Sequence, residues 1–134
     1  MAAAERGSSL SARDFIDVVY EDVYAATSRS IKSALEQPSG RQPAPRLVAM
    51  HEWFTSLSGD DKEMLSEVVR YAADYAIFGV LCLLDNVQPV VDGYRETLEL
   101  FVCANGEQRK LTDEGEELHG LFRSRVDESA GWDA

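Results

Sequence analysis

Apolar positions recur every three to four residues through most of this chain and alternate only over a short stretch in its last third. Phe15, Val19, Val23, Ala26 and Ser30, continued by Ile31 and Leu35, keep helical spacing. Asp14, Asp17, Glu21 and Asp22 collect on the other side. The spacing predicts one long amphipathic helix over about 12–36, with Ser11 as its cap and Asp14 near the positive helix end. Gln37–Pro45 holds three prolines and a glycine, which a helix cannot carry. A shorter helix over about 46–57 presents Leu47, Met50, Phe54 and Leu57, flanked by His51 and Trp53. Ser58 and Asp60 are candidate caps for a third helix over 61–84. Its first half is amphipathic (Leu65, Val68, Val69, Ala72), and its second half, Tyr71–Leu84, has one charge, Asp74, in fourteen residues. A helix that is apolar all round is buried all round, so this segment is expected to be an enclosed central rod.

Asp85, Asn86 and Pro89 end that helix. Thr97–Val102 alternates and is rich in β-formers, Asn105-Gly106 signals a hairpin, and Gln108–Leu111 offers a return strand. Leu98, Leu100 and Val102 are expected to face helices, and Glu99 the water. Two strands alone are marginal, so the hairpin of about 96–112 has to pack on the helical body. Asp113 and Glu116 have capping-box spacing for a last helix whose stripe is Leu118, Leu121, Phe122 and Val126. The expected fold class is α+β, mostly α: about four helices around a central apolar helix (61–84) with one small β-hairpin. Residues 1–10 and 129–134 are expected to be loose, flanking a single globular domain over 11–128.

Length agrees with that count, since 134 residues suit one domain and bury enough surface to fold without metal or disulfide. Charge changes the functional picture. Thirteen basic residues face 24 acidic ones, a net of −11. Such a surface repels nucleic-acid phosphates and anionic lipid, and attracts basic proteins. Tyr20 and Tyr24 are four apart beside Asp17 and Glu21, an acidic patch bearing aromatics of the type that interfaces favour. Tyr20, Glu21, Asp22 and Tyr24, joined by Glu114, Glu116 and Glu117, are the expected contacts to a basic protein partner. Two cysteines, Cys82 and Cys103, are too few for a disulfide framework and suit a reducing compartment. Residues 1–9 lack the apolar core of a secretory signal, and the 71–84 run is short for a membrane span, so a cytoplasmic protein is expected.

Catalytic constellations are incomplete. Glu116 and His119 make one Glu-x-x-His, but the only other histidine, His51, has Val48 at the matching position. No metal and no cofactor are therefore expected. Asp60/Asp61 and Glu116/Glu117 stand at helix starts, where carboxylates complement the helix dipole. Neither cysteine lies near a histidine in sequence, and there is no glycine-rich phosphate loop. These absences point away from an enzyme. Asp74 is expected to lie at the edge of the rod, still touching water. The alternative reading gives it a pocket shared with Tyr71, His51 and Trp53, in a small-ligand-binding or enzymatic domain. A self-associating subunit is a third reading.

Ile77–Asp85, then Leu98-Glu99-Leu100, a glycine turn and Glu117–Phe122, together resemble small uncharacterised bacterial proteins of the immunity or accessory type. The resemblance spans 76–126 and rests on core residues. It implies a binder without catalysis, such as an inhibitor, and transfers no site residue.

Overall fold

The computed structural model describes residues 10–87, 96–112 and 115–130. Its elements are α1 (Ala12–Val18), a π-helical segment π1 (Val19–Ala25), α2 (Ala26–Glu36), α3 (Pro45–Thr55), α4 (Gly59–Leu84), β1 (Phe101–Ala104), β2 (Glu107–Lys110) and α5 (Leu118–Ala130). The chain is thus α+β and mostly helical, as its patterning predicts. Contacts divide the chain into two compact units. One combines the described residues up to Tyr20 with those from Ala76 onward; the other is Glu21–Tyr75.

In the first unit, the capping box forms as expected. Ser11 Oγ accepts from the Asp14 amide and the Asp14 carboxylate accepts from the Ser11 amide, both at 3.1 Å. The helix then leaves α geometry. In π1 each turn holds an extra residue, because hydrogen bonds reach five residues back. That slips the phase of the buried face. Val23, on the stripe expected from a regular helix, is 45% exposed, and Tyr24 takes the inward position at 3%.

α1 packs on α5. Ala12 and Ile16 are buried from α1, as are Leu118, Phe122 and Val126 from α5, so the last helix buries three of the four residues of its expected stripe. The Arg125 side chain lies 4.0 Å from the Tyr20 ring centroid and 3.4 Å from Asp17. α4 ends in a Schellman pair: Val87 N–H donates to Cys82 C=O at 3.0 Å and Asn86 N–H to Leu83 C=O at 3.1 Å. This needs a left-handed residue, which Asn86 supplies at φ 59°.

The hairpin turn is Asn105-Gly106, with φ of 52° and 80°, both positive as a two-residue type I′ turn requires. Register runs from Phe101↔Lys110 to Ala104↔Glu107. The first strand starts later than expected, at Phe101 and not Thr97. Leu98 instead pairs with a side chain. Asn86 Nδ2 donates to its carbonyl at 2.9 Å, and its amide donates to Asn86 Oδ1 at 2.8 Å. The Asn86 amide thus stands in for a strand neighbour. Leu98 stays exposed, Leu100 and Val102 are half-buried, and Glu99 is exposed and bonds Lys110 at 3.1 Å.

In the unit Glu21–Tyr75, α2 packs on α3. Proline starts α3, where its missing N–H costs nothing. Leu35 and Phe54 are buried, and the Lys62 ammonium sits 5.1 Å from the Phe54 ring centroid. His51 Nδ1 lies 2.6 Å from Leu35 C=O. A carbonyl only accepts, so Nδ1–H donates, satisfying one of the carbonyls left open at the end of α2. α4 begins with Ser58 Oγ accepting from the Asp61 amide at 3.1 Å; of the two expected caps, Ser58 serves.

The expectation of an enclosed rod over 71–84 is overturned. Leu81 is buried, but Tyr71, Tyr75, Val80 and Leu83 are exposed. Asp74 is also corrected: it is buried, not at the water's edge. The cause is one-sided packing. Absence of charge around a helix permits burial on every side but does not supply enough partner surface to achieve it.

Candidate functional site

A polar cluster in the first unit is built where α4 stops and α5 starts. Asp85 closes α4, its amide donating to Leu81 C=O at 2.9 Å. Its carboxylate then turns to the beginning of α5. Oδ1 accepts from the Leu118 amide at 3.0 Å, and Oδ2 from the His119 amide at 2.8 Å and from His119 Nδ1 at 2.6 Å. The helix exposes unsatisfied N–H groups and positive dipole here, so a carboxylate is the favoured partner. Because a carboxylate accepts, the His119 proton on Nδ1 is fixed by Asp85, and Nε2 faces Glu117 Oε2 at 3.4 Å. Phe78 holds the imidazole edge-on, centroids 5.5 Å apart at 85°, and Arg123 lies 4.8 Å over the Phe78 ring.

Asp85, Glu117 and His119 bring ligand-type atoms within 4.8 Å of one another. One of the three groups is already committed. Asp85 is spent on the helix terminus and on Nδ1, which leaves Glu117 and His119 Nε2 as the outward-facing donors. A cleft of about 190 Å³ adjoins the cluster. Among the described residues, Asp85, Glu99, Glu116 and Glu117 line it together with one cation, Lys110, which is bonded to Glu99.

Cys82 shares this environment. Partial burial pushes its thiol above the ordinary range, and the negative charges of Asp85 and Glu117 push the same way. A higher pKa leaves less thiolate, the reactive form. At pH 8, iodoacetamide is therefore expected to modify exposed Cys103 first and Cys82 in a slower second phase. Glu117→Gln should speed the second phase, and peptide mapping by mass spectrometry assigns the two. Labelling of Cys82 ahead of Cys103 would contradict this electrostatic account.

The expected partner-binding residues take different settings. Glu21 and Asp22 are exposed on π1 and Glu117 is exposed beside the cleft, with Glu116 half-buried there. Tyr20 is half-buried under Arg125. Tyr24 is buried, which corrects its place on an exposed aromatic patch. Glu114, like Asp113 of the expected capping box, lies outside the described residues. The start of α5 that is described is capped by Asp85, from 33 residues away. Of the alternative pocket set, His51 bonds Leu35 C=O, Trp53 and Tyr71 are exposed, and Asp74 is buried.

Two features escaped sequence reasoning. One is Asp85, whose only signal is an acidic residue directly after an apolar helix. The other is the open face of α4, where Met64, Val68, Tyr71 and Tyr75 are 64%, 55%, 53% and 62% exposed. Among the described residues, no helix is long and apolar enough to cross a membrane. No family model, curated protein or solved structure matches this chain.

Proposed function

We propose that this protein is an acidic interaction module, of the inhibitor or immunity type, that binds a basic protein partner and performs no catalysis of its own. One observation carries the reading: among the described residues, the cleft beside α5 is lined by four carboxylates and one lysine, which is paired with Glu99. A net charge of −11 extends the same field over the molecule. Such a field attracts cationic partners and speeds their encounter, while salt screens it beyond a Debye length of about 10 Å at 0.1 M. Glu116 and Glu117 at the cleft, with Glu21 and Asp22 on π1, are the contacts this reading assigns.

The test is a panel of small basic proteins passed over immobilised protein, with acidic proteins as controls. Binding should be confined to the basic set. Association rates should fall by roughly tenfold between low and high salt, and a Glu116→Lys/Glu117→Lys double variant should lose part of that dependence. Rates indifferent to salt, or equal capture of acidic controls, would remove the basis of the proposal.

A further inference from the structure

The open face of α4 has a geometry of its own. Met64, Val68, Tyr71 and Tyr75 follow i, i+4, i+7, i+11 spacing, so at about 3.6 residues per turn they fall within about 60° of arc. They form a continuous apolar stripe about 17 Å long, at about 1.5 Å of rise per residue. All four belong to the unit Glu21–Tyr75. Their composition suits recognition: methionine adapts its shape, and tyrosine is enriched in interfaces. The two tyrosine rings brace each other, centroids 4.8 Å apart.

The edges of the stripe are acidic. Asp60 and Glu67 flank it on one side and Asp61 on the other, all exposed. The cations of α4 are taken: Arg70 is held by Glu67 at 3.2 Å, and Lys62 lies over Phe54. This charge pattern selects the occupant. A second copy of the chain would bring the same carboxylates against its own, on a molecule already at −11. Anionic lipid would meet the same repulsion. A helix with an apolar stripe and lysine or arginine along its margins complements both the spacing and the sign.

We infer that the Met64–Val68–Tyr71–Tyr75 face docks a cationic amphipathic helix from a partner protein, covering about three of its turns. The inference rests on the reading that the partner is basic, and adds to its acidic contacts an apolar face and the conformation that this face selects.

The probe is a fluorescein-labelled 18-residue peptide of leucine and lysine, with its leucines at helical spacing. A permuted peptide of identical composition, without that spacing, is the control. Anisotropy should show the amphipathic peptide binding at least tenfold more tightly than the permuted one. Circular dichroism should show it gaining helix on binding. Val68→Asp and Tyr75→Asp should each weaken it tenfold or more. An added carboxylate would strengthen a purely electrostatic complex, so this loss isolates the apolar contact. Both sites are exposed, and unchanged melting of the variants confirms that the fold is intact.

Equal, salt-sensitive binding of the two peptides would overturn the docking face and leave the acidic-module reading standing. Failure of the amphipathic peptide to bind, or variants that bind it like the parent chain, would overturn the docking face as well. The basic-protein panel then judges the broader reading separately. Sedimentation of the protein alone supplies the last outcome: a dimer abolished by Val68→Asp would assign the face to a second copy and overturn the inference.

Discussion

Phe122→Ala is expected to lower the unfolding free energy by about 3–5 kcal/mol, the cost of removing a fully buried aromatic ring and leaving a cavity. Phe122 is 0% exposed, between Leu118 and Val126 on the buried face of α5. Folded domains of this size hold only about 5–15 kcal/mol in reserve, so the variant should sit near the edge of folding. Urea denaturation followed by circular dichroism measures the difference. Phe101→Ala is the matched comparison, because that ring stands exposed on β1 and its loss should cost under about 1 kcal/mol. Equal costs for the two would mean that the side of α5 carrying Phe122 is not the core of its unit.

Asp85→Ala is expected to cost about 2 kcal/mol, within the range for removing a helix cap whose partners are partly buried. The loss is larger than that of an ordinary cap for a structural reason. Two amides and an imidazole N–H, all partly buried, lose one acceptor together. Asp85→Asn should cost less, since the amide oxygen still accepts one bond. Hydrogen exchange gives the local signature: the Leu118 and His119 amides should exchange much faster in Asp85→Ala, while those of α3 keep their rates. A variant with unchanged exchange at those two amides would show that the start of α5 does not depend on Asp85.

The two variants also mark where sequence reasoning held and where it stopped. Leu118, Phe122 and Val126 were legible as one buried stripe, because helical periodicity depends only on residues a few positions apart. The Ser11–Asp14 capping box and the Asn105-Gly106 turn were legible for the same reason. Asp85 as the cap of α5 was not, since the amides it serves lie 33 and 34 residues further on. Nor was the pairing of Asn86 with Leu98, which displaced the first strand towards its turn. Both are contacts between a side chain and a distant backbone, and no local pattern encodes them.

Tyr24 and the α4 face show two different reasons for a miss. Tyr24 turned inward because π1 inserts an extra residue per turn, and a period of about 3.6 then assigns the wrong residue to the core. Met64, Val68, Tyr71 and Tyr75 remained outside because burial requires a second surface. Hydropathy measures what a helix prefers and says nothing of how much partner surface there is. Those four side chains became a candidate docking face for that reason alone.

By itself the sequence determined the helical class, the hairpin turn, the capping of α1 by Ser11, the buried stripe of α5, and an acidic charge that repels phosphate and attracts cations. Each follows from residue type or from neighbours within one or two turns. The tertiary structure alone decided the two-unit division, the capping of one helix by the end of another, the gathering of carboxylates beside α5, and which side of α4 stayed bare. Those outcomes depend on which distant surfaces meet, a matter of packing geometry that a one-dimensional pattern does not contain.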